Sequence, residues 1–273
     1  MALSDAMLIA QITDLHIRPT GRLAYARVDT ATYLERAVAA LQALDPPPDV
    51  VLATGDLVDA GEPEEYARLG RLLAPIERPL FVIPGNHDAR RPLFDAFGQA
   101  GFLPGDGRFL HYTVEDWPVR LIGLDTIIPG EPGGRLCAER LAWLEDRLAE
   151  QRDRPTLLFM HHPPIPTGIG HMDTMGLADA DRFAALIRRH PQVERIVCGH
   201  VHRSIQARFA GTMVTVAPST AHQVSLTLQP AAPATFVMEP PGFHLHLWQS
   251  GAGLVTHTAF TGSFAGPYSF HDE

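Results

Sequence analysis

With 273 residues, 45% of them apolar and 19% charged, the chain can bury one large core, or a core plus a small appendage, and has the balance of a soluble globular protein. A net charge of −9 argues against non-specific binding to a nucleic-acid polymer or an anionic membrane. Two cysteines, Cys137 and Cys198, are too few for a disulfide framework and read as buried reduced thiols, whereas 14 histidines ask for a metal or for proton transfer.

At the start, Met1 to Ala6 lacks a basic leader, and the apolar run Met7 to Ile12 is too short for a signal segment, so it reads as a first buried strand. No stretch reaches the ~18 apolar residues of a membrane span, so a soluble, cytoplasmic protein is expected. The first strand releases Asp14 and His16, and residues 17–29, with Pro19 and Gly21, form a loop over the strand ends. Thr32-x-x-Glu35 fits a capping box for a helix that buries Leu34, Val38, Leu41 and Leu44 and stops at Pro46-Pro47-Pro48. A second strand, Val50 to Ala53, leads to Gly55-Asp56, and Pro63 suits the first turn of a helix with Tyr66, Leu69, Leu72 and Leu73 inward.

The third strand, Leu80 to Ile83, delivers Pro84-Gly85-Asn86-His87-Asp88. A short helix over 90–100 and a loop with an edge strand over 101–118 follow, then a strand from Val119 to Leu124 ending at Asp125. Beyond a Gly- and Pro-rich loop, 126–136, a helix packs Leu141, Leu144 and Leu148. The strand Thr156 to Met160 ends at His161-His162, the helix Asp179 to His190 packs Phe183, Leu186 and Ile187, and the strand Arg195 to Cys198 ends at Gly199-His200-Val201-His202. This alternation predicts an α/β chain with one mostly parallel sheet. Residues 204–228 and 243–260 instead alternate like antiparallel strands around a Pro-rich link, 229–242.

Five strand ends therefore release metal-type ligands: Asp14 and His16, Asp56, Asn86 and His87, His161, then His200 and His202. In parallel α/β sheets such groups gather at the carboxyl ends of the strands. Mixed imidazole and carboxylate donors, enough for two ions, suit zinc, iron, manganese or cobalt better than calcium or magnesium. Each piece has an ordinary reading: Asp56 as a turn residue, Asn86 and Asp88 as helix caps, His161 and His162 as core histidines. Their joint placement at one set of strand ends favours the metal site. His200 and His202, two apart on one strand, are expected to share a face.

Asp14-x-His16, Gly55-Asp56, Gly85-Asn86-His87-Asp88, His161 and Gly199-His200-x-His202 resemble, in order, the five blocks of the calcineurin-like metallophosphoesterase superfamily. The resemblance implies a two-layered β-sandwich flanked by helices rather than one sheet. It also implies attack on phosphorus by a metal-held hydroxide, with Asp14, His16 and His202 on one metal, Asn86, His161 and His200 on the other, and Asp56 bridging. His87 would contact the phosphate or protonate the leaving group, Asp88 would orient an imidazole, and His162 would be structural.

Ala60 stands where the serine/threonine phosphatases of the superfamily have an arginine, Asp88 where they have a glutamate, and Asp59 where purple acid phosphatases have a metal-binding tyrosine. Gly61 to Tyr66, His161 to Pro166 and Ala217 to Val224 are similar to the bacterial cyclic-nucleotide and glycerophosphodiester phosphodiesterase branch, which would place His222 beside substrate. The expectation is thus a phosphodiesterase of small anionic diesters using two transition-metal ions, with a phosphomonoesterase or a non-catalytic scaffold as alternatives. It comprises a catalytic core over 1–204, a β-rich cap or dimerisation region over 205–260 and a tail over 261–273 packing back on the core. A homodimer or higher homo-oligomer is expected, with no nucleic-acid or membrane partner. Substrate contacts are expected from loops 17–29, 126–136 and 163–178.

Overall fold

The computed structural model describes residues 6–105 and 108–271; Met1 to Asp5, on which the expectation of no leader partly rests, and the last two tail residues lie outside them. The elements run β1 (Ala6–Ile12), α1 (Thr30–Gln42), β2 (Val50–Thr54), α2 (Pro63–Leu73), β3 (Leu80–Ile83), α3 (Arg90–Phe97), β4 (Tyr112–Val114), β5 (Arg120–Leu124) and β6 (Gly134–Arg135). They continue with α4 (Ala138–Glu150), β7 (Thr156–Met160), α5 (Gly170–Asp173), β8 (Leu177–Ala178), α6 (Ala180–Ile187) and β9 (Val193–Cys198). The remainder is strand: β10 (Ile205–Phe209), β11 (Thr212–Val216), β12 (Gln223–Val224), β13 (Phe236–Val237), β14 (Gly242–Gln249) and β15 (Gly253–Phe260).

The strands do not form one doubly wound sheet. They divide into a five-stranded sheet in the order β15-β14-β1-β2-β3 and a six-stranded sheet in the order β10-β11-β9-β7-β5-β4, as the family resemblance implied. Within each, the expected parallel pairs are present: β1 with β2, β2 with β3, β5 with β7 and β7 with β9. Strands β2, β5 and β7 are buried at every position, which is why they read as unbroken hydrophobic stretches. Between the sheets, Leu121, Leu157, Phe159 and Val197 join Ile9, Leu52 and Val82 in one core. On the outer face of the second sheet, Ile122, Leu158 and Ile196 pack under Leu144, Leu148, Phe183 and Leu186 of α4 and α6.

Local signals hold with shifts of a few residues. Helix α1 begins at Thr30 and is capped by Asp29, whose carboxylate accepts from the Thr32 amide, so the cap lies one turn ahead of the expected Thr32 box. Pro63 does open α2, with a reciprocal Glu62–Glu65 capping box. The segments after residue 204 are extra core strands: β10 and β11 lengthen the second sheet, and β14 pairs antiparallel with β1 and with β15 in the first. Only the hairpin of β12 and β13 stands apart, above the strand ends. The tail does not pack back: Phe264, Tyr268 and Phe270 are exposed. Among the described residues no helix is long and apolar enough to cross a membrane.

Candidate metal centre

The carboxyl ends of β1, β2, β3, β7 and β9 converge, and the turns beyond them are unusually tight. Asp14, His16, Asp56, His200 and His202 all have positive φ, between 44° and 73°. A non-glycine residue held there costs on the order of 1–2 kcal/mol, so five of them at one sheet edge mark a place where side-chain direction outweighs backbone comfort. Glycines make the convergence possible. A Cβ on Gly85 would lie 2.3 Å from Asp56 Oδ1, and one on Gly55 would lie 2.5 Å from His161 Nδ1.

The result is two clusters sharing one carboxylate. On one side, ligand atoms of Asp14, His16, Asp56 and His202 lie within 4.8 Å of one another, with His16 Nε2 3.6 Å from Asp56 Oδ2 and His202 Nε2 3.3 Å from Asp14 Oδ1. On the other side, Asp56 Oδ1 is 3.4 Å from His161 Nε2, and Asn86 Oδ1 is 3.2 Å from His161 Nε2 and 3.0 Å from His200 Nδ1. His200 Nε2 is buried with no hydrogen-bond partner. Two oxygens of one carboxylate facing two nests of imidazoles fit a pair of transition-metal ions.

His200 and His202 do not share a face. They lie past β9 in left-handed conformations, so strand alternation no longer applies, and each imidazole enters a different cluster.

The electrostatics follow from the crowding. Burial pushes the Asp14 carboxyl up, but the charge and hydrogen bond of His202 outweigh it and hold it at about 2. Burial likewise opposes ionisation of Asp56, which His161 and His87 nonetheless hold well below the usual carboxylate range. Burial disfavours the charged form of His161, yet the Asp56 charge raises it to about 9. His200 drops to about 3 through burial and the charge of His161.

Backbone carbonyls aim three of the rings. His161 Nδ1 donates to Thr54 O (2.9 Å), His202 Nδ1 to His222 O (3.1 Å) and His87 Nδ1 to Asp59 O (2.7 Å), leaving each Nε2 free for the cleft. His16 Nδ1 lies 3.2 Å from the Asp59 carboxylate, which Arg18 holds at 2.9 Å. Asp59 is the residue that sequence reasoning passed over. Its spacing of three from Asp56 was noted only as a missing tyrosine. The His162 ring nitrogens meet Thr126 Oγ1 at 2.8 Å and Pro132 O at 3.2 Å, and the ring lies beside His161 and His200.

Asp88 neither orients an imidazole nor caps α3. One carboxylate oxygen accepts from the Leu57 and Gly85 amides, and the other from the Val58 amide and the Tyr66 hydroxyl, so Asp88 ties the Asp56 turn to the Asn86 turn. Asp88→Asn would point an NH2 at two of these donors. The expected cost is about 2–4 kcal/mol, read as a lowered melting temperature; an unchanged melting temperature would show that the two turns do not depend on the carboxylate.

A cleft of about 410 Å³ opens over the clusters. Its walls come from the three loops expected to contact substrate, through Tyr25, Pro132, His171, Met172 and Met175, and from the β12–β13 hairpin, through Phe236. Tyr25 and Phe236 were not singled out in the sequence; their rings lie 5.2 Å apart. His222 packs 5.1 Å from Tyr25 and 4.6 Å from His202, with its Nδ1 unpartnered. Burial and the His202 charge push the His222 imidazole down to about 2.

The family described as calcineurin-like phosphoesterase matches residues 7–204. The chain is 41% identical over 268 residues to the "Probable glycerophosphodiester phosphodiesterase GpdQ" of Arcobacter nitrofigilis, covering 98% of each chain. It is 30% identical over 236 residues to the "3',5'-cyclic adenosine monophosphate phosphodiesterase CpdA" of Escherichia coli K12, covering 85% of this chain and 84% of the relative. Among solved structures, a dimetal phosphatase from Danio rerio shares the fold with a TM-score of 0.65 at 15% identity, covering 94% of this chain and 99% of the other.

Proposed function

The chain belongs to the calcineurin-like phosphoesterase family, and on that footing we propose that it is a dinuclear metal-dependent phosphodiesterase of small phosphodiesters, of the cyclic-nucleotide or glycerophosphodiester kind. The observation that carries the reading is the shared carboxylate of Asp56 between two facing ligand clusters. Asp14, His16 and His202 would hold one ion and Asn86, His161 and His200 the other, with Asp56 offering an oxygen to each cluster. When bound, such a pair would supply a lowered pKa for water and positive charge beside the phosphoryl oxygens.

The protein supplies orientation and proton control. Nδ1 hydrogen bonds to carbonyls fix His161, His202 and His87 so that each Nε2 faces the cleft. His87, partly exposed at the mouth, is placed to meet the phosphate and to give its proton to the departing oxygen. His222 stands on the substrate side, against Tyr25 and Phe236. Among the described residues no arginine lines the cleft, which supports a singly charged diester over a doubly charged monoester.

The same reading has the enzyme working as a homodimer or higher homo-oligomer in the cytoplasm, apart from membranes and nucleic-acid polymers. Two free cysteines support a reducing compartment, and the net charge of −9 supports the choice of partners. The core expected over 1–204 extends into β10, β11, β14 and β15, so the cap or dimerisation role expected over 205–260 is proposed for the β12–β13 hairpin alone, and no packing role is proposed for the tail over 261–273. In support, the hairpin of β12 and β13 overhangs the cleft and exposes Leu226, Leu228 and Met238 on its outer side.

The test is turnover of bis(p-nitrophenyl) phosphate against p-nitrophenyl phosphate by protein stripped and refilled with manganese. The expected kcat/KM favours the diester at least about tenfold, a difference of about 1.4 kcal/mol. Preference for the monoester would make it a phosphomonoesterase on the same site. No turnover of either with two ions bound would make it a scaffold.

A further inference from the structure

Behind the ligand clusters, in the seam between the two sheets, runs a string of buried polar groups that the reaction as described does not use. Arg195 on β9 donates through Nη1 to Thr256 Oγ1 (3.2 Å) and Thr215 Oγ1 (3.0 Å), and through Nη2 to Leu254 O (2.8 Å). Thr256 Oγ1 is 2.8 Å from His246 Nδ1, and His246 Nε2 is 3.0 Å from Gln11 Oε1. Gln11 Nε2 then lies 2.9 Å from both Thr54 Oγ1 and Cys198 O. Gln11, His246 and Thr54 are wholly buried.

The chemistry of the groups gives the string one direction. An arginine only donates and a carbonyl only accepts. Cys198 O therefore requires an N–H of Gln11, which turns Gln11 Oε1 to His246 Nε2. The imidazole must then carry its own proton on Nε2 and donate to Gln11 Oε1. The Thr256 hydroxyl accepts from Arg195 and gives its proton to His246 Nδ1. The two N–H bonds of the Gln11 amide point at Thr54 Oγ1 and Cys198 O. No alternative orientation satisfies every member. Burial holds the His246 imidazole neutral, as this arrangement requires.

The endpoints matter more than the string. Thr54 stands two residues before Asp56, and its carbonyl accepts from His161 Nδ1. Cys198 stands two residues before His200. Gln11 therefore joins, across the sheet-to-sheet seam, the two strand ends that deliver Asp56 and His200, two of the four groups of the Asn86-side cluster, while the Thr54 carbonyl at one of those ends orients a third, His161. A core of apolar side chains would fill the same seam without the cost of burying an amide and an imidazole. What the amide adds is a fixed distance.

We propose that Gln11, held in one orientation by Arg195, Thr256 and His246, is a positioning residue that sets the spacing of the Asp56, His161 and His200 side chains for the second ion. This rests on the two-ion reading above. A Gln11→Met variant keeps the volume and removes both donors. Thr54→Val and Thr54→Ser test the other end, since the first removes the hydroxyl and the second restores it without the methyl.

The experiment is calorimetric titration of stripped protein with manganese, with thermal unfolding of the stripped protein alongside; the step lost in Asn86→Ala identifies the second ion. Gln11→Met is expected to weaken that step on the order of 10–100-fold and to change the first step, which shares only Asp56 with the second, far less. Thr54→Val is expected to move in the same direction and Thr54→Ser to return towards wild type. Unchanged affinities with only a lower melting temperature would overturn the proposal and leave Gln11 as a tie between sheets. Should Gln11→Met fail to fold, the Thr54 pair decides alone: equal affinities in Val and Ser variants would overturn it. Fewer than two ions bound by the wild type would instead overturn the reading on which it rests.

Discussion

Asp56→Ala is expected to abolish ordered binding of both manganese ions and to lower kcat/KM for a diester by about a thousandfold or more, a loss of about 4 kcal/mol. The two oxygens of this carboxylate face opposite clusters, at 3.6 Å from His16 Nε2 and 3.4 Å from His161 Nε2, so this one side chain enters both. Removing it also leaves His16 and His161 without their nearest shared anion, and the Oδ1 atom no longer accepts from the His87 amide, now 2.9 Å away. Asp56→Asn separates the two effects. An amide keeps one oxygen for one cluster and turns an N–H pair at the other, so one ion is expected to survive and turnover to fall nearly as far as in the alanine variant. Metal analysis after dialysis, beside circular dichroism to show that the fold persists, checks both. Retention of two ions with wild-type affinity in Asp56→Ala would remove the bridging role.

Much of this arrangement was legible in the sequence because it depends on residue type and on burial. The strands β1, β2, β3, β7 and β9 are covered on both faces, so each appears as a short apolar run, and the polar residue that ends the run is the one that reaches the cleft. Helix α2 was legible from Pro63 and from the stripe of Tyr66, Leu69 and Leu73. What stayed hidden is relational. A two-residue period says which face a side chain takes and nothing about which sheet its strand joins, so β5 and β7 could not be told from neighbours of β3. The period fails altogether where φ turns positive, and that is why His200 and His202 were expected together and are found apart.

Hydrogen-bond partners distant in sequence were equally silent. Asp88 looks like a helix cap because it precedes α3, yet its acceptor capacity is taken up by amides at 57, 58 and 85 and by Tyr66, brought near by the parallel pairing of β2 and β3. Gln11 and His246 alternate within ordinary strands and give no signal that they meet, since β14 reaches β1 only after more than two hundred residues.

His87→Ala is the variant that separates binding from chemistry. His87 Nδ1 is committed to the Asp59 carbonyl, so the proton available for transfer is on Nε2. Both ions should remain. Turnover of diesters with poor alkyl leaving groups is expected to fall on the order of 10²–10⁴-fold, the usual worth of a positioned general acid, while p-nitrophenyl esters, whose leaving group needs no proton, should lose far less.

The pH dependence carries the same sign. In the metal-free site, burial lowers the proton affinity of His87, but the negative charge of Asp56, the Asp59 carbonyl and the Asp59 carboxylate outweigh it and raise the imidazole above its ordinary value. A general acid must hold its proton, so kcat of the loaded enzyme for an alkyl diester should decline as pH rises through the His87 titration, and the decline should vanish in His87→Ala. A stripped-and-refilled series of leaving groups, each followed across pH in wild type and variant, reads both effects at once. Equal losses for good and poor leaving groups, with the alkaline decline still present, would make His87 a phosphate contact and leave protonation of the departing oxygen to another group.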